Sequence, residues 1–446
     1  MVLPETIEYI LARLEGAGFA AYAVGGCVRD ALAGREPHDW DVCTAARPEQ
    51  VHAVFAGMDV RDTGLRHGTV TLVLDRAPYE ITTFRVDGHY SDSRRPDSVT
   101  FTEDVTVDLA RRDFTVNAMA YSPVTGLIDP FGGREDLEAG VLRCVGDPAV
   151  RFGEDALRIL RGLRFAARFG YAVEADTAAA MGALAPTLAD IAPERIKAEL
   201  EGLLLGQWTA DVLRAFPDIL AVPIPEIAPC VGFDQHSPWH VYDVWEHTLR
   251  AVAAAEPDPI LRWTMLFHDL GKPGTFSLGE DGNGHFYGHA GRSAELAEGV
   301  MDRLRFSNEQ REAISELVRR HDGVIEPEPK TVRRLLGKLG RKQFDRLLAV
   351  KRADNMAQAP ALTEPRLREL ESLGALADEV ERAEECTGLR QLAVNGRDLL
   401  ALGYAPGPAL GAELGRLLEL VLDDPALNRR ETLLDQAEKD MEKPRM

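Results

Sequence analysis

Two spacings of apolar residues divide the chain into regions of different structure. Residues 1–18 carry apolar side chains at helical spacing, which predicts an N-terminal helix. Between residues 20 and 130, short runs rich in β-formers alternate with turn residues and short helical stretches, which predicts a mixed α/β unit. From residue 138 to about 215 the apolar residues return to helical spacing, and prolines between residues 217 and 229 then predict a linker.

Within the α/β unit, individual elements can be assigned. The runs TVTLVL and YEITTFR flank turn residues 75–78 and predict a hairpin. DWDVCT is predicted as a strand, and Pro48 stands where the next helix would begin. Gly25 and Gly26 precede CVRDALAG, which predicts a short helix behind a glycine turn.

Composition limits the classes of protein that the chain can belong to. Its 446 residues correspond to about three domains, and 45% hydrophobic residues are enough for a sizeable core. The net charge of −21 excludes a uniformly basic surface, so a polyanionic partner would need a local patch such as the basic run at residues 330–352. Five scattered cysteines and no long apolar run predict a cytoplasmic protein without a membrane span.

Histidines mark a further domain boundary. Seven of the eleven histidines lie between residues 236 and 321, which indicates a domain with its own chemistry. Together with the patterns above, this predicts four domains, namely a head at residues 1–137, a helical neck at 138–222, a histidine-rich domain at 223–360 and a helical tail at 361–446. The sequence leaves the oligomeric state open.

The head contains residues suited to binding a nucleoside triphosphate and metal ions. Gly25 and Gly26 before a helix offer backbone N–H groups to phosphate. Asp39 and Asp41 on a strand would share one face and could hold a pair of divalent cations. Glu80, on the neighbouring hairpin strand, is a candidate third carboxylate. The alternative is that the two aspartates are only a solvated strand end.

Two further groups fit nucleotide binding. Arg112 matches phosphate in its donor geometry, and Asp113 could accept from a ribose hydroxyl. Asp155 and Arg158 are three residues apart on a predicted helix, which is typical of a surface ion pair. As an acceptor and a donor together they would instead select cytosine and adenine, which both present an amino group beside a ring-nitrogen acceptor.

These residues occur in motifs that resemble those of class II tRNA nucleotidyltransferases, the CCA-adding enzymes of the bacterial and eukaryotic type. The resemblance covers residues 20–205 and includes GGCVRDALAGREPHDWDVCT, RRDFTVNAMAY and EDALRILRGLRFAARFGY. It implies an α+β chain, with a polymerase-β-like nucleotidyltransferase head of mixed sheet and helices followed by an all-α neck, an HD domain and a helical tail.

The resemblance also implies roles for individual residues. Asp39 and Asp41 match the carboxylates that hold two Mg²⁺ ions, with Glu80 as a further catalytic candidate, and Glu154, Asp155 and Arg158 match the motif that reads the incoming base. The predicted nucleotide-binding residues are Gly25, Gly26, Arg29, Arg112, Asp113, Asn117, Glu154, Asp155, Arg158 and Arg161. Residues 85–95 resemble a loop that enzymes adding only CC lack.

The activity implied is template-independent addition of CCA to tRNA 3′ ends from CTP and ATP. Three alternatives remain open at this point. The chain could add only the terminal A or act as a poly(A) polymerase, it could be a metal-dependent phosphohydrolase whose head only binds, or it could be an RNA-binding module with both sites idle.

The histidine-rich domain contains a second candidate metal site. His247, His268, Asp269 and Asp354 follow the order H…HD…D, which resembles an HD-domain phosphohydrolase. His289 and His321 are candidate extra ligands. The identity of the divalent ion is open, and a scaffold that only packs is the alternative. An active site of this kind would hydrolyse cyclic phosphates or phosphomonoesters at RNA ends, as the resemblance implies.

Overall fold

The computed structural model describes residues 1–88, 98–237, 241–280, 282–358 and 360–441. The described chain forms two compact units, one made of Met1–Ala228 with Asp302–Arg305 and the other of Pro229–Met301 with Phe306–Met446. The division of each unit into two domains stays a prediction. Most of the predicted loop at residues 85–95 lies outside the described residues, as does His240.

The first unit joins a sheet to a set of helices. Its elements are α1 (Glu5–Gly16), β1 (Ala21–Val24), α2 (Gly26–Leu32), β2 (Val42–Thr44), α3 (Pro48–Val54), β3 (Asp59–Gly64), β4 (Thr69–Leu74), β5 (Ala77–Thr83), β6 (Arg85–Asp87), β7 (Val99–Phe101), α4 (Val105–Ala110), β8 (Ala120–Ser122), β9 (Gly126–Ile128), α5 (Gly133–Ala139), β10 (Val141–Leu142), α6 (Pro148–Glu154), α7 (Leu157–Phe169), β11 (Ala172–Val173), α8 (Ala175–Leu184), α9 (Pro193–Leu204), α10 (Thr209–Ala215) and α11 (Pro217–Leu220).

The second unit is almost entirely helical. Its elements are α12 (Val244–Ala254), α13 (Pro259–Phe267), α14 (Lys272–Thr275), β12 (Ser277–Leu278), β13 (Gly284–His285), α15 (His289–Arg303), α16 (Asn308–Arg320), α17 (Pro329–Leu339), α18 (Arg341–Met356), α19 (Pro360–Arg382), α20 (Gly396–Leu402), α21 (Pro408–Asp423) and α22 (Arg430–Met441). The described residues contain no helix long and apolar enough to cross a bilayer.

The sheet of the first unit has seven strands in the order β3-β4-β5-β2-β1-β8-β9. The β2–β5 pair is parallel, with Val42 opposite Ile81, and the other pairs are antiparallel. The predicted hairpin is therefore confirmed as β4 and β5, and Asp75 and Arg76 between them adopt the positive φ angles of a tight turn. A mixed sheet followed by helices confirms the predicted α+β class.

Each face of the sheet packs against helices, which fixes the direction of the side chains near the site. The apolar side of α1, including Ile7 and Leu11, packs on one face of the sheet, in the same core as Val42 of β2 and Ile81 of β5. Cys43 packs in the core on the opposite face. Because strand side chains alternate, residues next to Val42 in sequence point away from the α1 core.

The strand predicted over DWDVCT is shorter than expected. It begins at Val42, so Asp39 and Asp41 lie in the extended segment before β2 rather than on the strand. The Asp41 carbonyl still accepts a hydrogen bond from the Val24 amide, at 3.0 Å. This bond continues the β1–β2 pairing by one residue and holds the Asp41 backbone in place.

The basic run at residues 330–352 contributes ion pairs to the second unit. Arg333 is buried and donates to the Leu422 carbonyl at 2.7 Å and to Glu385 at 2.8 Å. Arg334 pairs with acids of α21, and Arg341 pairs with acids of α18 and α19. These three guanidinium groups join α17 and α18 to the rest of the unit, so the run is in part structural rather than an open phosphate-binding face.

Candidate nucleotide and metal sites

A cleft of about 600 Å³ in the first unit brings most of the predicted head residues together. Its walls come from α2, the segment before β2, the residues after α4, the helix α7 and the start of α9. The predicted residues that line it are Gly26, Arg29, Asp39, Asp41, Arg112, Asp113, Asn117, Asp155, Arg158 and Arg161. Gly25, Glu80 and Glu154 are not among the lining residues.

Asp39 and Asp41 form the acidic end of the cleft. Both side chains are exposed to it. Desolvation by the cleft walls raises the pKa of Asp41, and the charge of Asp39 raises it further, while Arg112 opposes both. Two carboxylates that destabilise each other's charge suit a divalent cation, which removes the repulsion. The donor set therefore fits Mg²⁺, for which oxygen ligands are preferred.

Glu80 lies on β5, next to β2, and does not line the cleft. Val42 of β2 lies opposite Ile81 of β5, so Asp41 and Glu80, which precede them, are next to each other across the two chain segments. Because side chains alternate along a strand, both point away from the α1 core that contains Val42 and Ile81. The described residues of the head contain no group of three His, Cys, Asp or Glu ligand atoms within 4.8 Å of one another. A role for Glu80 as third carboxylate stays a prediction.

The glycine pair acts differently from the expectation. The Gly25 amide, predicted to face phosphate, donates to the Met119 carbonyl at 3.0 Å. At Gly25, where φ is +82°, a Cβ would lie 2.7 Å from Nη1 of Arg112. Gly25 therefore makes room for the Arg112 guanidinium, while Gly26 lines the cleft at the start of α2.

A chain of polar contacts organises the centre of the cleft. Arg29 donates to Asn117 at 2.5 Å, and the Asn117 amide donates to Asp113 at 3.1 Å. Arg161 pairs with the other oxygen of Asp113 at 2.6 Å. Burial works against the Asp113 charge, but Arg161 and the Asn117 and Phe114 donors outweigh it and lower the Asp113 pKa. Asp113 is thus an ionised anchor that positions two cations for an anionic ligand.

Asp155 and Arg158 both face the cleft, and each is held by other residues. The prediction that Asp155 and Arg158 share one helix is wrong, because α7 begins at Leu157 and Asp155 lies in an extended conformation between α6 and α7. One Asp155 oxygen accepts from the Leu157 amide at 3.0 Å, and the other pairs with Arg195 at 2.8 Å. Arg158 donates to Glu154 at 2.6 Å. Glu154 therefore supports Arg158 from outside the cleft, and a role of Asp155 and Arg158 in reading the base stays a prediction.

Several arginines that line the cleft were not among the predicted site residues. These are Arg111, Arg164, Arg168 and Arg195. The spacing of Arg158, Arg161, Arg164 and Arg168 along α7 places them on adjacent turns of one helix face, and this spacing is a signal that could have identified two of the four. Arg195 carries no such signal, because it lies on α9 and reaches the cleft only through packing against α7.

The HD residues converge inside the second unit. His247 and His268 place their Nε2 atoms 3.1 Å apart, and Asp354 lies 3.0 Å from Nε2 of His247. His289 and His321 place their Nε2 atoms 3.2 Å apart, and Asp269 lies 3.5 Å and 3.6 Å from them. All six predicted HD residues therefore form two adjoining groups of three that could each hold an ion.

The tautomers of these histidines favour a cation between them. Nδ1 of His268, His289 and His321 lies 2.6 to 2.9 Å from the carbonyls of Met265, Phe286 and Val318, which accept its proton. His247 contacts the Ala357 carbonyl in the same way, at 3.3 Å. A neutral imidazole with a protonated Nδ1 presents a lone pair at Nε2. Facing lone pairs at about 3 Å need a proton or a metal ion between them.

Asp269 supports the same interpretation. It is 1% exposed, and neither of its carboxylate oxygens makes a hydrogen bond of normal geometry with the described residues, although Lys272 lies 2.8 Å away. Burial alone would raise its pKa, but His268 and Lys272 hold it well below the ordinary value. A buried, ionised carboxylate surrounded by imidazole nitrogens is expected where a metal ion binds. The residues present therefore fit a divalent metal.

Comparisons with known proteins match the head and the HD region of the chain. Residues 21–143 match the family model of the Poly A polymerase head domain, residues 170–216 that of the probable RNA and SrmB-binding site of polymerase A, and residues 240–359 that of the HD domain. The CCA-adding enzyme of Leuconostoc mesenteroides is 50% identical over 205 residues, which cover 46% of this chain and 51% of that protein. The CCA-adding enzyme of Geobacillus thermodenitrificans is 41% identical over 268 residues, or 59% of this chain and 62% of that protein.

The alignments thus span about half of the length of these relatives, and the structural comparison extends further. The crystal structure of the Bacillus stearothermophilus CCA-adding enzyme in complex with CTP superposes with a TM-score of 0.71 at 29% identity, covering 99% of this chain and 98% of that one. The chain therefore contains a match to the Poly A polymerase head domain and a match to the HD domain in the predicted order, and it is similar to CCA-adding enzymes in sequence and in fold.

Proposed function

We propose that the chain adds CCA to tRNA 3′ ends from CTP and ATP without a nucleic-acid template. One observation carries this proposal, namely that a single cleft holds both the acidic pair Asp39 and Asp41 and the base-reading pair Asp155 and Arg158. The similarity to CCA-adding enzymes, one of them solved in complex with CTP, supports it.

The residues of the cleft suit successive parts of a nucleotide. The Asp155 carboxylate accepts a hydrogen bond from the amino group of cytosine or adenine, and Arg158 donates to the adjacent ring nitrogen. Uracil and guanine present the reverse pattern and are excluded. Arg112 and Arg161 offer guanidinium groups to the triphosphate.

At the acidic end, Asp39 and Asp41 would hold the two Mg²⁺ ions. When bound, such ions align the attacking hydroxyl and the leaving pyrophosphate and stabilise the charge that develops. The residues proposed to read the base lie near the start of α7, and the acids proposed to hold the metal ions lie before β2. This arrangement suits a single nucleotide bound along the cleft.

Incorporation on truncated tRNAs tests the proposal. Three substrates lacking CCA, CA or A are incubated with labelled CTP and ATP, and we expect C, C and A to be added in order and then no more. Incorporation of A alone on the CC-ended tRNA would establish the A-adding alternative, and continued addition of A would establish a poly(A) polymerase. Asp39→Ala should reduce addition by at least a thousandfold, since it removes a ligand of the metal ions.

We propose a second activity for the HD domain, hydrolysis of phosphomonoesters or cyclic phosphates at RNA ends. His247, His268 and Asp354 would hold one ion, and His289, His321 and Asp269 a second one beside it. Ligand sets with two imidazoles each favour a transition metal over Mg²⁺. Such an ion supplies an activated water for attack on phosphorus.

Reciprocal variants separate the two activities. Asp39→Ala should abolish nucleotide addition and leave the phosphatase rate unchanged, whereas His268→Ala should do the reverse. Loss of bound metal in His268→Ala, measured by elemental analysis, would show that the histidine group holds it. Full phosphatase activity in His268→Ala would exclude the HD site as its source. We further propose that the protein acts in the cytoplasm, which its five buried cysteines, none of them in a disulfide within the described residues, support.

A further inference from the structure

A cavity of about 350 Å³ opens beside the HD histidines, and one of its walls is aromatic. The cavity is lined by the candidate metal ligands Asp269, His289, His321 and Asp354. The facing wall is the segment His285–Gly288, which leaves β13 and leads into α15. If a phosphoester binds with its phosphate at these candidate ligands, the organic group on the phosphate would lie in this cavity.

Two rings of this wall are stacked. His285 and Tyr287 lie with their ring centroids 5.4 Å apart and their planes 9° apart. Tyr287 is 79% exposed, although it is a large aromatic residue next to a buried polar centre. The core does not require an exposed ring of this kind. Phe286, the residue between His285 and Tyr287 in the sequence, already packs against Phe276, with 5.6 Å between the ring centroids.

The stacked pair is tied rigidly to the metal group. The Phe286 carbonyl accepts from Nδ1 of His289 at 2.9 Å, so the residue between the two rings also orients a candidate ligand. Lys272, which pairs with Asp269, lies 5.4 Å from the centre of the Phe286 ring. At Gly284 a Cβ would lie 2.2 Å from the Gln235 carbonyl, so the hairpin can approach this closely only with glycine there. The backbone that carries the two rings is therefore anchored beside the candidate ligands.

We propose that His285 and Tyr287 form a stacking platform that binds the nucleobase next to the phosphate at the HD site. The inference rests on the proposed phosphohydrolase and names the residues that would hold the base of its substrate. Aromatic side chains bind bases of any sequence through the flat faces of the rings, because every base has a π-face. The platform would recognise a terminal nucleoside of an RNA end without selecting its identity.

Equilibrium binding tests the platform without requiring turnover. The probes are the non-hydrolysable phosphonate analogue of adenosine 3′-monophosphate and the same phosphonate on ribose without a base, titrated calorimetrically into the full-length, Mn²⁺-loaded protein. We expect Tyr287→Ala to weaken the adenosine probe about tenfold, equivalent to about 1.4 kcal/mol, and to leave the ribose probe within twofold. Tyr287→Phe should bind both probes as the unaltered chain does, because stacking does not need the hydroxyl.

Leu278→Ala provides the matched control. Leu278 lies on β12 of the same hairpin and is 61% exposed, but it does not line the cavity. It should bind both probes normally. The nucleotide cleft of the head is unaltered in every variant, so any adenosine bound there contributes equally to all of them.

The outcomes separate this inference from the phosphohydrolase itself. Equal affinity of Tyr287→Ala and the unaltered chain for the adenosine probe would overturn the platform, even if His268→Ala abolishes phosphatase activity. An equal loss for both probes would also overturn it, because the tyrosine would then act on the phosphate end. A base-dependent loss in a protein without phosphatase turnover would support the platform and refute only the catalytic role.

Discussion

Arg195 is expected to control nucleotide selection although it contacts the base only through Asp155. Its guanidinium lies 2.8 Å from Oδ2 of Asp155, and the Leu157 amide holds Oδ1. Together these two donors fix the plane of the carboxylate whose remaining lone pairs face the cleft. Arg195→Ala removes one donor and lets the carboxylate rotate away from the amino group that it should accept.

The size of the expected loss follows from how far the Arg195–Asp155 pair is buried. The side chains of Arg195 and Asp155 are 22% and 14% exposed, so the pair lies between a solvated surface bridge and a fully buried one. A hydrogen bond to a charged group in such a position contributes about 1.5–3 kcal/mol. If most of this loss appears in the transition state, kcat/KM for CTP and ATP falls by about 10- to 150-fold.

Steady-state kinetics with each nucleotide on tRNA ending in C or CC provide the assay. We expect the discrimination against UTP to fall along with kcat/KM for CTP. Glu199→Ala is the matched control, because Glu199 on α9 pairs with Arg164 on α7 at 2.5 Å with similar exposure, and this ion pair does not include Asp155. It should lower the unfolding free energy by a similar amount and leave discrimination intact. Unchanged UTP discrimination in Arg195→Ala, or an equal loss in Glu199→Ala, would refute the reasoning.

Three further predictions concern stability. The folded protein lowers the pKa of Asp113, so the charge of Asp113 stabilises the fold above the unfolded-state pKa of about 3.9. This contribution is lost as the pH falls through the lower pKa of the folded state. Urea unfolding should therefore show that Asp113→Asn is less stable than the unaltered chain at pH 7, and the difference should shrink below about pH 4. Chelation should lower the thermal midpoint of the HD-containing unit, and a transition-metal ion at a hundred times its Kd should restore about 2.7 kcal/mol, but not in Asp269→Ala. Gly162→Ala should cost about 1–3 kcal/mol, because its Cβ would lie 2.4 Å from Met181 Cε and 2.8 Å from Phe114 Cζ, whereas Gly182→Ala, with nothing within 4 Å, should be neutral or stabilising by denaturant titration.

Local sequence patterns determined the elements and the types of site residue. The spacing of apolar residues in α1, the turn between β4 and β5 and the proline at the start of α3 each act within a few residues, and the structure confirms all three elements. The pair of aspartates at residues 39 and 41 and the order of the HD residues likewise identified the kinds of ligand that the sites contain.

Tertiary packing decided which of these residues meet. Asp155 is paired with a residue 40 positions away, and four imidazoles from four separate segments share one centre in the second unit. The ion pair of Arg333 with Glu385 and its hydrogen bond to the Leu422 carbonyl also depend on neighbours remote in sequence. The periodicity of apolar residues shows only which face of a helix or strand is apolar. The partner of a polar side chain depends on how the helices and strands pack against one another, so only the tertiary structure decides these contacts.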